Sequence, residues 1–164
     1  MMRFFETSTI SQNRLERIVG PKTSNKVKGS PGMFIKAYQA KEAPLDLQGA
    51  KANFEIREAG LLMYISKSQH RLVFPIPSDE MKDMELSGGE ERIKLMWISP
   101  MRIFMKLGMT KRYARYFRLR DDEYSITPMV LRMATHDMSL TLECSGYNNY
   151  SLTEFMEQVK SRLL

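Results

Sequence analysis

The sequence predicts an α+β fold: a strongly bent antiparallel sheet or barrel of about seven strands, with a C-terminal amphipathic helix and a short inserted helix. Three observations predict it. From about residue 53 onward, short apolar runs alternate with clusters of turn-forming residues. The C-terminal segment changes to helical spacing. Between the strands, Ser99-Pro100 and Gly108 bracket a two-turn helix signal. A length of 164 residues fits one domain, and an apolar share of 43% excludes wholesale disorder.

Residues 1–52 read as a basic N-terminal arm, partly helical or mobile. In it Leu15, Ile18 and Val19 share one face of a short helix that Gly20-Pro21 stops. KTSNKVKGSPG is polar and rich in breakers, so it reads as a mobile loop. MFIKAYQAKEAP is compatible with a helix ending before Pro44 and with an extended segment. The β-rich domain is expected over 53–164. NFEIREAG alternates Phe54 and Ile56 with Glu55 and Arg57, and Gly60 separates it from LLMYISKS and HRLVFPIP. MKDMELSGG turns Met81, Met84 and Leu86 to the core and ends in a Gly88-Gly89 turn. RIKLMWIS is the next strand, with Trp97 in its wall. The inserted helix follows, capped by Ser99, with Ile103, Phe104 and Leu107 as its apolar face.

KRYARYFRLR, residues 111–120, holds five cations and three aromatic rings and no acid. A helix capped by Thr110 would put Lys111 and Arg112 in its first turn, against the helix dipole. A strand avoids that cost. Tyr113, Phe117 and Leu119 then point inward, while Arg112, Tyr116, Arg118 and Arg120 form a cationic outer face, with Arg115 breaking the alternation. DDEYSITP is a turn-rich connection, and MVLRMAT and MSLTLECS form a hairpin around His136-Asp137. SLTE is a capping box with Ser151 as N-cap and Glu154 at the third helical position. Leu152, Phe155, Met156, Val159 and Leu163 follow on one face. Tyr147 and Tyr150 are expected to pack this helix onto the sheet.

The single cysteine, Cys144, rules out an internal disulfide. No apolar run has the length of a signal peptide or of a membrane span. The expected location is cytoplasmic or membrane-peripheral. The net charge of +6 is segregated: residues 1–51 carry +5, residues 99–120 carry +7 and the remainder carries −6. Such a distribution steers anionic partners.

Signals for chemistry are sparse. His70 and His136 are the only histidines, and no CxxC, HxH or HExxH spacing marks a metal site. Asp121, Asp122 and Glu123 diverge on an extended chain and read as a solvated turn. Cys144 reads as a small buried hydrophobe. SGGEE lacks the lysine of a phosphate loop, and no nucleophile elbow is present. The expectation is a protein that is not an enzyme and uses no cofactor.

The order of elements carried by GLLMYISKSQHRLVFPIPSDEMKDMEL and MSLTLECSGYNNYSLTEFMEQVKSRLL resembles the pleckstrin-homology-like superfold, over roughly residues 53–164. That resemblance implies binding rather than catalysis, with lipid headgroups, peptides or proteins as ligands. Its phosphate-holding cations fall loosely on Lys67, His70 and Arg71. The inserted helix and the N-terminal arm depart from the pattern.

The remaining candidate is the basic surface. Arg102, Lys106, Lys111, Arg112, Arg115, Arg118 and Arg120, with Tyr116 among them, lie within nineteen residues, and Lys22, Lys26 and Lys28 are placed to add to them. Met101, Met105 and Met109 are placed to dip into a membrane interface. The expected function is a binding module that docks through this surface onto an anionic membrane or an acidic protein. A coat- or matrix-like subunit that self-associates at a membrane ranks second. Single-stranded nucleic acid ranks third, because the strand reading leaves mainly Tyr116 exposed for stacking.

Overall fold

Period-two apolar patterning builds one large antiparallel sheet in this chain. The computed structural model describes residues 4–23, 29–40, 46–94 and 96–163. Its strands are β1 (Phe5–Glu6), β2 (Met33–Ala40), β3 (Lys51–Arg57), β4 (Gly60–Lys67), β5 (His70–Pro77), β6 (Met81–Gly88), β7 (Glu91–Ile93), β8 (Tyr124–Ile126), β9 (Met129–Thr135) and β10 (Met138–Cys144). Its helices are α1 (Gln12–Val19), α2 (Pro100–Lys106), α3 (Lys111–Ala114) and α4 (Asn149–Leu163). Eight strands form one sheet in the order β1-β5-β4-β3-β2-β10-β9-β6, and β7 pairs with β8 apart from it. The large sheet therefore has eight strands rather than about seven, and it is open, with β1 and β6 at its edges.

MFIKAYQA resolves as the strand β2, not a helix, and it lies between β10 and β3. The boundary expected at residue 53 thus falls inside β3. β10 covers β2 from Met138↔Ala40 to Glu143↔Phe34, whereas β3 holds it only at Met33↔Ala52 and Phe34↔Lys51. Where β3 departs, Ile35 bonds to the following segment instead: its N–H donates 2.9 Å to the Ala50 carbonyl, and its carbonyl accepts the Gly49 N–H at 2.8 Å. Lys67 ties that segment down, donating to the Asp46 and Gln48 carbonyls at 2.7 and 2.8 Å and to Asp46 Oδ2 at 3.0 Å.

The sheet buries both faces of its β4–β5 region. Leu61, Met63 and Ile65 join the main core, while Leu62 packs with Val73 and with Leu15 and Val19 of α1. Two covered faces explain why LLMYI is a continuous apolar run. Gly20 ends α1 at φ 79°, as its sequence position predicts. α4 buries Leu152, Phe155, Met156 and Val159 in the main core, and the Phe155 ring lies 6.0 Å from that of Phe54.

Three expected elements differ. Of RIKLMWIS, only Arg92 and Ile93 lie in a strand among the described residues, as the end of β7, and Met96–Ser99 is a turn closed by the Ser99 N–H on the Met96 carbonyl at 3.2 Å. KRYARYFRLR is not a strand: α3 and a 3₁₀ turn at Arg115–Phe117 occupy it. Tertiary packing decides this, because Ala114 is fully buried and Phe117 sits on Phe104 with ring centroids 4.3 Å apart. The cost of Lys111 in the first turn is offset by Glu91 at 3.5 Å. Finally, α4 starts at Asn149, so Ser151 is inside the helix and caps nothing. The cap is Ser145, whose hydroxyl accepts the Tyr147 N–H at 3.3 Å and starts a 3₁₀ turn leading into α4.

Candidate functional site

Residues 94–123 form an insertion between β7 and β8, and its two ends are pinned together. Ile93 pairs with Tyr124, and the Lys94 N–H donates 3.0 Å to the Glu123 carbonyl. The insertion has its own small core. Met101, Ala114 and Tyr124 are buried, and Phe104, Met105 and Met109 pack against them. One carboxylate ties the two helices' ends to this core. Glu123 is buried, and its Oε2 accepts the Ser99 hydroxyl at 2.7 Å and the Leu119 N–H at 3.1 Å. Ser99 therefore positions α2 through Glu123, not through a side-chain cap on the helix.

The phase of α2 differs from the one expected: Phe104 packs against the small core as expected, but Ile103 and Leu107 do not. Met101 is its buried residue, whereas Ile103 is 52% and Leu107 76% exposed. At about 100° per residue, Ile103 and Leu107 lie roughly 200° and 240° from Met101, on the opposite side of the helix, with Arg102 and Lys106 along one flank. Met101, Met105 and Met109 face the core, so they are not the residues offered to an interface. Immediately before α2, the Met96–Ser99 turn holds Trp97 and Ile98 outward at 79% and 70% exposure. Trp97 is not in the sheet wall. Tyr113, Phe117 and Leu119, expected inside, are exposed as well.

The cations divide into three groups. Lys111 pairs with Glu91. Arg118 donates Nε and Nη2 to Asp121 Oδ1 at 3.2 and 2.9 Å, and Arg120 lies 3.4 Å from Asp122. Asp121 and Asp122, expected in a solvated turn, thus neutralise part of the patch, whereas Glu123, expected with them, is buried. Arg102, Lys106 and Arg112 have no ion-pair partner among the described residues. Arg115 belongs to neither group. Its guanidinium lies 5.3 Å from the ring centroids of Tyr116 and Tyr147 and 5.8 Å from that of Tyr124. Its hydrogen bond, and then its charge, hold the Tyr116 phenol below the ordinary 10.0. Burial, and then the hydrogen bond to Glu91, raise Tyr124. Arg115, Tyr116, Arg118, Arg120, Asp121 and Tyr147 line an open groove of about 670 Å³.

The second predicted set does not join this surface. Lys67 is committed to Asp46 and Gln48, and His70 and Arg71 are exposed at the start of β5. Lys22 lies beside Glu55 at 4.0 Å. Lys26 and Lys28 lie outside the described residues. Tyr150 is exposed rather than packed, whereas Tyr147 contacts the Arg115 cluster. Cys144 is buried, and burial raises its thiol above the ordinary 9.0. Among the described residues, no three His, Cys, Asp or Glu side chains gather as a metal site, and no helix is long and apolar enough to cross a membrane.

Sequence reasoning missed Trp97, Ile98, Ile103 and Leu107 as surface residues. A signal was present: Ser99-Pro100 favours turn initiation and a helix start, so the two residues before it read more simply as a turn than as a strand wall. No protein-family model, curated protein or solved structure matches this chain.

Proposed function

We propose that this chain is a non-enzymatic docking module that settles onto an anionic membrane surface through the 94–123 insertion. The observation that carries this reading is what α2 and the turn before it expose: Trp97, Ile98, Ile103 and Leu107 are all outward, and Arg102 and Lys106, which have no ion-pair partner among the described residues, run along the flank of α2 next to Ile103 and Leu107. A solvated loop has no use for four large apolar tips, and a purely electrostatic patch has no use for Trp97. A lipid interface uses both. Tryptophan favours headgroup depth, and aliphatic tips reach the acyl boundary. Each nearby cation adds about 1 kcal/mol at an anionic surface. The chain's seven longer sheet strands, with α4 burying its stripe against them, support the resemblance to the pleckstrin-homology-like superfold.

Trp97 is the only tryptophan, so its fluorescence reports on the docking tip alone. Sedimentation with phosphatidylserine-containing and with purely zwitterionic vesicles, across a salt series, tests the reading. Binding is expected to the anionic vesicles, to weaken with salt, and to shift Trp97 emission to the blue. Ile103→Gln with Leu107→Gln is expected to lower vesicle binding at least tenfold, with folding unchanged. An absence of sedimentation at low salt, or sedimentation with no emission shift, refutes it. Light scattering that rises with protein concentration alone would instead assign the same tips to self-association or a coat-like role. Exposure of Tyr113 and Tyr116 beside Arg112 favours single-stranded nucleic acid as the second reading. A gel shift with random single strands, in a protein that ignores vesicles, would select it.

A further inference from the structure

We propose that the groove behind Arg115 is a binding site for a phosphate monoester, carried on a lipid headgroup or free in solution. The groove's guanidinium donors are largely unused. Arg115 donates one long hydrogen bond, 3.5 Å to the Tyr116 hydroxyl, with the Tyr124 hydroxyl as its other near partner, and meets no carboxylate among the described residues. Arg118 directs two donors at a single Asp121 oxygen. Arg120 meets Asp122 at 3.4 Å, with both side chains more than 60% exposed. An exposed pair of that kind is held weakly and exchanges readily for an incoming oxyanion. Each arginine carries five N–H donors in a planar fork that matches phosphate oxygens.

Arg115 is also preorganised. Three tyrosine rings around its guanidinium hold it by cation–π contact, so little side-chain freedom remains to be lost on binding. The charge of the lining selects the ligand class. Three arginines against Asp121 leave a net charge of +2 in the groove. A phosphate monoester carries about −1.5 to −2 at neutral pH, whereas a diester or a carboxylate carries about −1. The groove volume of about 670 Å³ leaves room for the group that bears the phosphate. Asp121 at the rim repels a second anion and accepts from a hydroxyl on that group.

The lipid source rests on the docking reading above; the site itself does not. The test uses the full chain and two arms. The first titrates glycerol 3-phosphate, with methyl acetate as an uncharged control, by calorimetry. The second compares vesicles containing phosphatidic acid, a monoester, with phosphatidylglycerol vesicles, a diester, at matched surface charge. Arg118→Gln with Arg120→Gln is expected to weaken monoester binding roughly tenfold to a hundredfold while the melting curve holds. Glycerol 3-phosphate binding that the double variant lowers supports the site with a soluble ligand, even if vesicles are ignored and the docking reading fails. Preference for phosphatidic acid that the double variant removes supports it with a lipid source. Loss of all vesicle binding in Ile103→Gln with Leu107→Gln, with glycerol 3-phosphate binding intact, separates the two proposals. Equal binding to both vesicle types together with no glycerol 3-phosphate binding overturns the site, as does a double variant that binds either probe like the parent.

Discussion

Replacing Glu123 with alanine is expected to loosen the insertion from both ends at once. Its Oε2 is the shared acceptor for Ser99 at the start of α2 and for the Leu119 N–H after α3, at 2.7 and 3.1 Å. A hydrogen bond to a charged acceptor contributes roughly 1.5–3 kcal/mol. Two such bonds are opposed by the desolvation of a carboxylate whose other oxygen is buried without a partner. The net loss works out at about 2–4 kcal/mol. At about 2–4 °C per kcal/mol for a domain of this size, the melting temperature should fall by about 5–15 °C. Glu123→Gln keeps one oxygen able to accept both donors, and is expected to cost about 1 kcal/mol.

Thermal melts followed by circular dichroism measure the stability, and hydrogen exchange at the Leu119 amide measures the local bond. Protection of that amide should vanish in Glu123→Ala and persist in Glu123→Gln. If Glu123→Ala melts within 1 °C of the parent and Leu119 stays protected, the insertion is not held by this carboxylate, and the account of how its outer face is presented is wrong.

Phe155→Ala, emptying a site in the main core against Phe54, is expected to cost about 3–5 kcal/mol, read from the midpoint and slope of urea unfolding. Asp46 is held below its ordinary 3.8, first by the Gln48 backbone N–H and then by Lys67. Its folded value being the lower one, the associated stability is present above 3.8 and is lost as pH falls through the depressed value. Urea midpoints of the parent and of Asp46→Asn should therefore differ by a constant amount near neutral pH and converge in acid; a gap that widens in acid would contradict the assignment.

The sheet was legible wherever two neighbouring strands and their turn are close in sequence. Gly60 and His136-Asp137 separate runs that pair along their full length, so alternation and punctuation point to the same hairpins. α4 was legible for the same reason, since one stripe carries its apolar residues. β2 was not, because its partner β10 is about a hundred residues away and only Met33 and Ile35 are buried along it. The insertion was misread for a different cause. α2 is apolar on opposite faces, so periodicity finds two seams and cannot say which one meets the core. The flexible methionines took the irregular inner side, where unbranched side chains fill gaps better than Ile103 or Leu107. Arg115 looked like an interruption of a strand because the Tyr124 and Tyr147 rings that hold it come from β8 and from the turn before α4.

The phase of α2 bears directly on what the insertion is for. Its small core is complete without Trp97, Ile98, Ile103 and Leu107: Met101, Ala114 and Tyr124 close it, Phe104 covers Phe117, and Glu123 fastens the ends. Among the described residues, the four outward residues therefore add nothing to that small core. Their loss should leave stability within about 0.5 kcal/mol, as for surface residues generally, and alter only what the surface meets. Side chains displayed from ordered helix and turn also give up little entropy on contact, unlike a disordered segment that must order as it binds. Arg115, Arg118 and Arg120 belong to the same 94–123 insertion as the apolar tips, so a lipid-borne phosphate in that groove together with Trp97 in the interface is what the two proposals predict jointly.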